Sequence, residues 1–249
     1  MTFTDLFTDP AYLIYGITMV LFIPMLLFSV IASIRVNTVF SKYNGIMGSS
    51  GISAQGYVRN FLAEQGVDGI KFAAVRGSLT DNFNPTTKTI SLSDTVRNSA
   101  SIGAIGVACH EAGHAVQHAK NYFFSSARLK LVPIVNFAST MMYPIFIIGY
   151  ILGFASPYTA IGRIFLMVGL VVMGLTLLFS LVTLPTEFDA SRRAYKYLKT
   201  CLLPDEAAGV KKVLRAAAMT YVASFMVTAL QFLRLLAILM MGRNRNRNR

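Results

Sequence analysis

The sequence predicts a mainly α-helical integral membrane protein, with about four transmembrane helices carrying a small α+β part on one side of the bilayer. Three observations predict it. Of 249 residues, 54% are apolar and 14% charged, against about 25% charged in soluble domains. Four apolar stretches, residues 11–34, 131–155, 161–184 and 221–241, reach the roughly 20 residues of helix that cross a bilayer. Lys and Arg outnumber Asp and Glu by 23 to 11, and they cluster: ten lie between Arg35 and Lys130 and seven between Arg192 and Arg215.

That clustering sets an expected topology. The first ten residues carry Asp5 and Asp9 and no positive charge, so the N-terminus is expected outside, with 35–130 and 185–215 cytoplasmic. The whole chain, 1–249, then forms a single membrane-integrated domain. Its basic excess reads as topology with membrane lipid as a contact, and nucleic acid is not expected as a partner. The two cysteines, Cys109 and Cys201, fall in segments assigned to the reducing side, and no disulfide is expected.

Taken in order, the first stretch is expected to persist as a span, because no basic residue precedes it, and Pro24 should kink it. The loop GIMGSSG at 45–51 has glycine hinges suited to a lid over a site. Ser53 is a helix cap, Tyr57, Val58, Phe61 and Leu62 make an apolar stripe, and Gly66 stops the helix near Gln65. Residues 70–75 and 87–93 read as two short strands of a β-hairpin around the turn-rich GSLTDNFNPTT. Ile90 and Leu92 alternate with polar neighbours, as in a strand with one covered face. Ile90, Ser91 and Leu92 are therefore candidates for an open strand edge along which an extended peptide pairs by main-chain hydrogen bonds.

The chemistry concentrates in SIGAIGVACHEAGHAVQHA, residues 101–119. On a helix, His110 and His114 leave one face a turn apart and can hold a single zinc ion. Glu111 then points beside the metal, the place for a general base that deprotonates a water whose pKa the metal lowers to about 7. Two His and a Glu in a run of small apolar residues demand such a reason, since buried ionisable groups must be paired or bound to metal. Gly103, Gly106 and Gly113 allow another backbone to come close. Cys109 points about 100° away from His110 and reads as a small core residue; His118 reads as a surface or supporting histidine, since three successive turns do not meet at one tetrahedral ion.

In LPTEFDASRRAYKYLK, Glu187, Ala190, Ser191 and Ala194 share a helix face that is small apart from the carboxylate. That face is suited to pack on the glycines and bring Glu187 in as a third protein ligand, with Asp189 the alternative on another face. Two His and one Glu with a fourth position open is a catalytic zinc arrangement. In the last apolar stretch, Gln231 and Arg234 lie three apart and are expected to look into protein.

Across the runs GSLTDNFNPTTKTISLS, VACHEAGHAVQHA, VTLPTEFDASRRA, LRAAAMTYVA and LQFLRLL, in that order, the chain resembles the YugP-like neutral zinc metallopeptidases of bacterial membranes. More distantly it is similar to HtpX and the CAAX prenyl proteases. The resemblance implies a zinc peptidase with one Zn2+ per chain, held by His110, His114 and Glu187, with Glu111 catalytic. It implies a multi-pass protein of the cell membrane that cuts polypeptides, misfolded or membrane proteins among them, in protein quality control. Ser191 stands where these relatives have an aspartate that supports a zinc histidine, and Asp189 is the substitute by a different geometry. Arg192 and Arg193 are candidates to steady the oxyanion. The rival reading is a zinc-binding membrane scaffold without turnover, which has no need of Glu111.

Overall fold

The computed structural model describes residues 10–151 and 159–247. Helix α1 spans Pro10–Asn44, α2 Ala54–Glu64, α3 Ile102–Ala119, α4 Phe123–Ile151, α5 Ala160–Cys201 and α6 Pro204–Arg247; strands β1 Lys71–Val75, β2 Asn82–Asn84 and β3 Thr89–Ser93 lie between α2 and α3. Asp5, Asp9 and residues 155–158 of the connection 155–163 fall outside the described residues.

Among the described residues, three helices are long and apolar enough to cross a membrane: Pro10–Asn44, Ile161–Cys201 and Pro204–Met241. They carry three of the four expected apolar stretches; the fourth begins within α4, and its last residues are not described. Contacts divide the described residues into two compact units, one drawn from Met1–Val30, Arg128–Leu181 and Ala223–Arg249, the other from Ile31–Ala127 and Val182–Val222. The first unit turns its apolar side chains outward: Val20 is 74% exposed, Ile23 64% and Val171 64%. Only a hydrocarbon solvent makes such a surface favourable. Within this unit Arg234 lies over the Tyr15 ring, 5.9 Å from its centroid, but Gln231 is exposed, so the expected shared inward face holds for the arginine alone.

The second unit is built the opposite way. Val58, Phe61, Ile90, Leu92, Ile105, Leu198, Val210 and Val213 are almost wholly buried, each worth about 1.5–3 kcal/mol. Ser53 caps α2 by accepting from the Gly56 N–H. Gly66, at φ +65°, ends the helix as Gly66 N–H donates to Ala63 and Val67 N–H to Leu62, the paired bonds of a left-handed C-terminal cap. The stripe Tyr57, Val58, Phe61, Leu62 faces the core, and Phe61 stacks on Tyr197 of α5 at 4.7 Å.

The sheet departs from the hairpin the sequence suggests. Its order is β1-β3-β2; β1 pairs parallel with β3, Phe72 opposite Ile90, and β2 pairs antiparallel, Phe83 opposite Ile90. The turn-rich stretch holds a strand of its own, Asn82–Asn84, which the Pro85–Thr87 turn folds back onto β3; the Asn84 side chain accepts from Thr86 and Thr87 N–H groups. Ile90, Ser91 and Leu92 therefore lie in the central strand and offer no free edge. Ile90 and Leu92 do turn into the core, at 0% and 1% exposure. Beyond β2, Asp81 takes the Ser93 N–H and hydroxyl, and burial, outweighing those bonds, raises its carboxyl above the ordinary range.

The GIMGSSG loop is tied down at several points. Met47 bridges Ser101, Gly48 N–H donates to Ala100, Ile102 N–H donates to Ile46, and Ser49 N–H donates to the Glu206 carboxylate at 2.6 Å. This is a strap across the start of α3 rather than the free lid its glycines suggest; its donors and acceptors are spent on the unit it belongs to.

Candidate metal centre

Helix α3 runs through the middle of the second unit. Ser101 caps it by accepting from Ala104 N–H and donates its own hydroxyl proton to Asn44 at 2.6 Å. Ala104, Ala108, Cys109, Ala112 and Ala115 are fully buried, so neighbouring backbones approach on several sides. A Cβ on Gly103 would stand 2.8 Å from the Asn44 nitrogen and one on Gly113 2.6 Å from the Ala190 carbonyl oxygen, both impossible contacts; on Gly106 it would meet Val210 at 3.4 Å. The Gly113–Ala190 approach seats α5 against the histidine face. Glu187, one turn before Ala190, then reaches the histidines. The small face of α5 does what its sequence suggests.

There the imidazoles of His110 and His114 stand edge to face, centroids 4.7 Å apart. Both Nε2 atoms point at one carboxylate oxygen: His110 Nε2 lies 3.1 Å and His114 Nε2 3.4 Å from Glu187 Oε2. The three donor atoms lie within 4.8 Å of one another. Glu187 is 2% exposed and the histidine side chains 13% and 14%, so the group is sheltered but reachable. Glu111, next to His110, is outside this triplet. Burial pushes its carboxyl above the ordinary range, against the pull of His114 and His110.

Each ring's other nitrogen is held. His110 Nδ1 and the Ser191 hydroxyl are 3.1 Å apart, so Ser191 occupies the supporting place with a neutral group. His114 Nδ1 lies 3.0 Å from Gln117 Oε1. Gln117 Nε2 donates to the Thr186 carbonyl at 2.7 Å and to Asp189 Oδ2 at 2.9 Å. Both partners of that amide are acceptors, so its oxygen must face His114, and His114 must carry its proton on Nδ1. That leaves the Nε2 lone pair free toward Glu187. Arg193 Nε donates to Asp189 and its guanidinium lies over the Tyr122 ring at 5.7 Å. Burial works to lower the His114 pKa, but Glu187, Glu111 and Gln117 outweigh it and the ring is raised.

The sequence-derived candidates thus separate. His110, His114 and Glu187 converge, with Glu111 beside them and Ser191 and Asp189 behind, the latter acting through Gln117. Arg193 is engaged with Asp189 and Arg192 is exposed, so neither is placed as an oxyanion partner. Ile90, Ser91 and Leu92 serve the core. His118 packs on Phe83 of β2, centroids 5.9 Å apart, away from the triplet. Cys109 is fully buried and its thiol is pushed up by burial. Gln117 is the residue sequence reasoning missed. The available signal was its position three residues after His114, on the same face of a helix otherwise made of small apolar residues.

The donor set fits zinc: two imidazole Nε2 atoms, that of His114 with its proton directed elsewhere, and one carboxylate oxygen. A family model described as "Putative neutral zinc metallopeptidase" matches residues 18–240. The "Putative membrane protease YugP" of Bacillus subtilis (strain 168) is 38% identical over 217 residues, covering 86% of this chain and 93% of its own length. No solved structure matches the chain.

Proposed function

The chain belongs to the putative neutral zinc metallopeptidase family, and from that premise we propose that it is a membrane-integrated zinc endopeptidase. The observation that carries this is the convergence of three donor atoms within 4.8 Å, with a fourth ionisable group, Glu111, beside them. His110, His114 and Glu187 would hold the ion. When bound, zinc supplies Lewis-acid polarisation of a peptide carbonyl and a water acidic enough to attack near neutral pH. Glu111, beside the three donors, would serve as the group that accepts a proton from an attacking water and gives it to the departing amine, a general base turned general acid. A carboxyl whose pKa burial holds up is suited to both halves of the task. Ser191 and Gln117 hold the rings so that each Nε2 faces inward.

An extended polypeptide reaches this site along the outer edge of β2. That strand is short, lies beside α3 through the Phe83–His118 contact, and pairs on one side alone, with β3. In the cell membrane α4 completes four spans, the N-terminus is outside, and the site faces the cytoplasm; the cation clusters at 35–130 and 192–215, both on the side this topology makes cytoplasmic, support the orientation. Substrates are polypeptides, misfolded or membrane-derived ones included.

The test compares cleavage of an unfolded protein by detergent-purified wild type, chelator-treated wild type and Glu111→Gln. Wild type cuts, chelation abolishes cutting, and Glu111→Gln retains its zinc yet loses at least about 10²-fold in rate. Undiminished cleavage by Glu111→Gln overturns the mechanism; zinc in both proteins with cleavage by neither favours the scaffold.

A further inference from the structure

Within the second unit, away from the metal centre, the polar end of α1 and residues 212–219 of α6 line a half-open cavity of about 550 Å3, within the range of small-molecule sites. Arg35, Val39, Lys42 and Tyr43 line it from α1, and Lys212, Arg215, Ala216 and Met219 from α6. The spacings, 35-39-42 and 212-215-216-219, each describe one face of a helix, so two cation-bearing faces look at each other. The lining contains four cations and no carboxylate, and among the described residues none of the four has an ion-pair partner. Like charges set together without a counter-ion repel, and sequence chance does not explain two helices meeting on their cations.

The remaining lining is apolar or aromatic. Tyr43 is a fixed wall: a Cβ on Gly209 would stand 2.8 Å from its ring, and Gly103 of α3 comes equally close to the Tyr43–Asn44 backbone. Arg35 is the first charged residue after the apolar run 11–34, and Met219 stands two residues before the run 221–241. The cavity therefore offers charge for an anion and hydrocarbon for what carries it, at the point on both helices where apolar sequence begins.

We propose that this cavity is a binding site for the phosphate headgroup of an anionic phospholipid, with Arg35, Lys42, Lys212 and Arg215 on the phosphate and Val39, Ala216 and Met219 against the glycerol and upper acyl chain. Basic pockets beside membrane helices take such headgroups. Free inorganic phosphate shares the charge but leaves the apolar half of the lining unused. The site is independent of peptide cleavage and is tested without it.

The experiment is native mass spectrometry of the detergent-purified full chain with dioctanoyl phosphatidylglycerol, dioctanoyl phosphatidylcholine or inorganic phosphate. Wild type retains one phosphatidylglycerol in preference to phosphatidylcholine. Lys42→Gln/Arg215→Gln weakens that binding by about thirtyfold, Lys42→Arg/Arg215→Lys keeps it, and Lys196→Gln/Lys199→Gln, which removes two exposed cations outside the cavity, changes it less than about twofold. Equal binding of both lipids overturns the proposal, as does an equal loss in the Lys196/Lys199 variant, which signals diffuse attraction. Phosphate binding as tightly as phosphatidylglycerol assigns the site to the free anion and overturns the lipid. An unchanged melting temperature of the lipid-free variants shows that a loss is not a loss of fold.

Discussion

His110 and His114 leave the same helix one turn apart and meet the same carboxylate, yet they are held by different means. Behind His114, Gln117 faces two acceptors with its amide nitrogen, Thr186 and Asp189, and so can only accept from the ring. Behind His110 stands one hydroxyl, Ser191, which can donate or accept and so does not by itself decide which ring nitrogen carries the proton. One histidine is locked in the metal-ready tautomer by a buried relay ending on Arg193; the other is steadied without being locked. Two histidines that look equivalent in HEAGH are unequal in the folded chain.

The change with the largest expected effect removes both arms together. Gly113→Val drives a side chain into the Ala190 carbonyl, separates α3 from α5, and should destabilise by about 1–3 kcal/mol or more; thermal melting and zinc content fall together. Gln117→Leu, similar in volume, strips the relay from His114 alone. It should weaken zinc binding by about 100-fold with little change in melting temperature, the upper end of what ligand-supporting groups contribute. Ser191→Ala should cost about tenfold at most, read by the same zinc titration. If Ser191→Ala costs as much as Gln117→Leu, the inequality drawn here is wrong. Ser191→Asp sharpens the contrast from the other side: a carboxylate can only accept from Nδ1–H, so it should tighten zinc.

Acid supplies the smallest and most graded test. Zinc needs both imidazoles neutral, and Glu187, Glu111 and Gln117 raise His114 above its ordinary value, about 6.5. As pH falls, protons compete with zinc for the rings, and a raised His114 gives up zinc at a higher pH than it would at the same zinc affinity without those contacts. Gln117→Leu, by weakening zinc binding about 100-fold, should move the midpoint of zinc loss upward in a chelator competition followed across pH. An unmoved or downward midpoint contradicts the supporting role assigned to Gln117.

Legibility follows the range of the interactions. The His110–His114 pair, the Ser53 cap and the Gly66 stop depend on neighbours within a turn or two of helix, so spacing reveals them. Glu187 arrives from 73 residues beyond His114, and it was legible because Gly113 and the small residues Ala190, Ser191 and Ala194 mark two surfaces able to touch. The strand order was not legible. β2 has three residues inside a run of turn formers, and once it forms it takes the edge of β3 that Ile90, Ser91 and Leu92 would otherwise offer. Gln117 hid because glutamine in a helix usually faces water; its burial depends on Thr186 and Asp189, two acceptors that the fold, not the local sequence, brings to it. The strap at 45–51 hid likewise, since Glu206, which takes the Ser49 N–H, lies 157 residues away.

The measurement that tests the central claim most directly is zinc content per chain, by elemental analysis after identical chelator washes, for wild type, Glu187→Ala and Asp189→Ala. The account predicts about one zinc per chain in wild type, essentially none in Glu187→Ala, and zinc still bound, about tenfold more weakly, in Asp189→Ala. Full zinc in Glu187→Ala with none in Asp189→Ala would show that the ion, if held here at all, is not held by the three groups that converge in this fold.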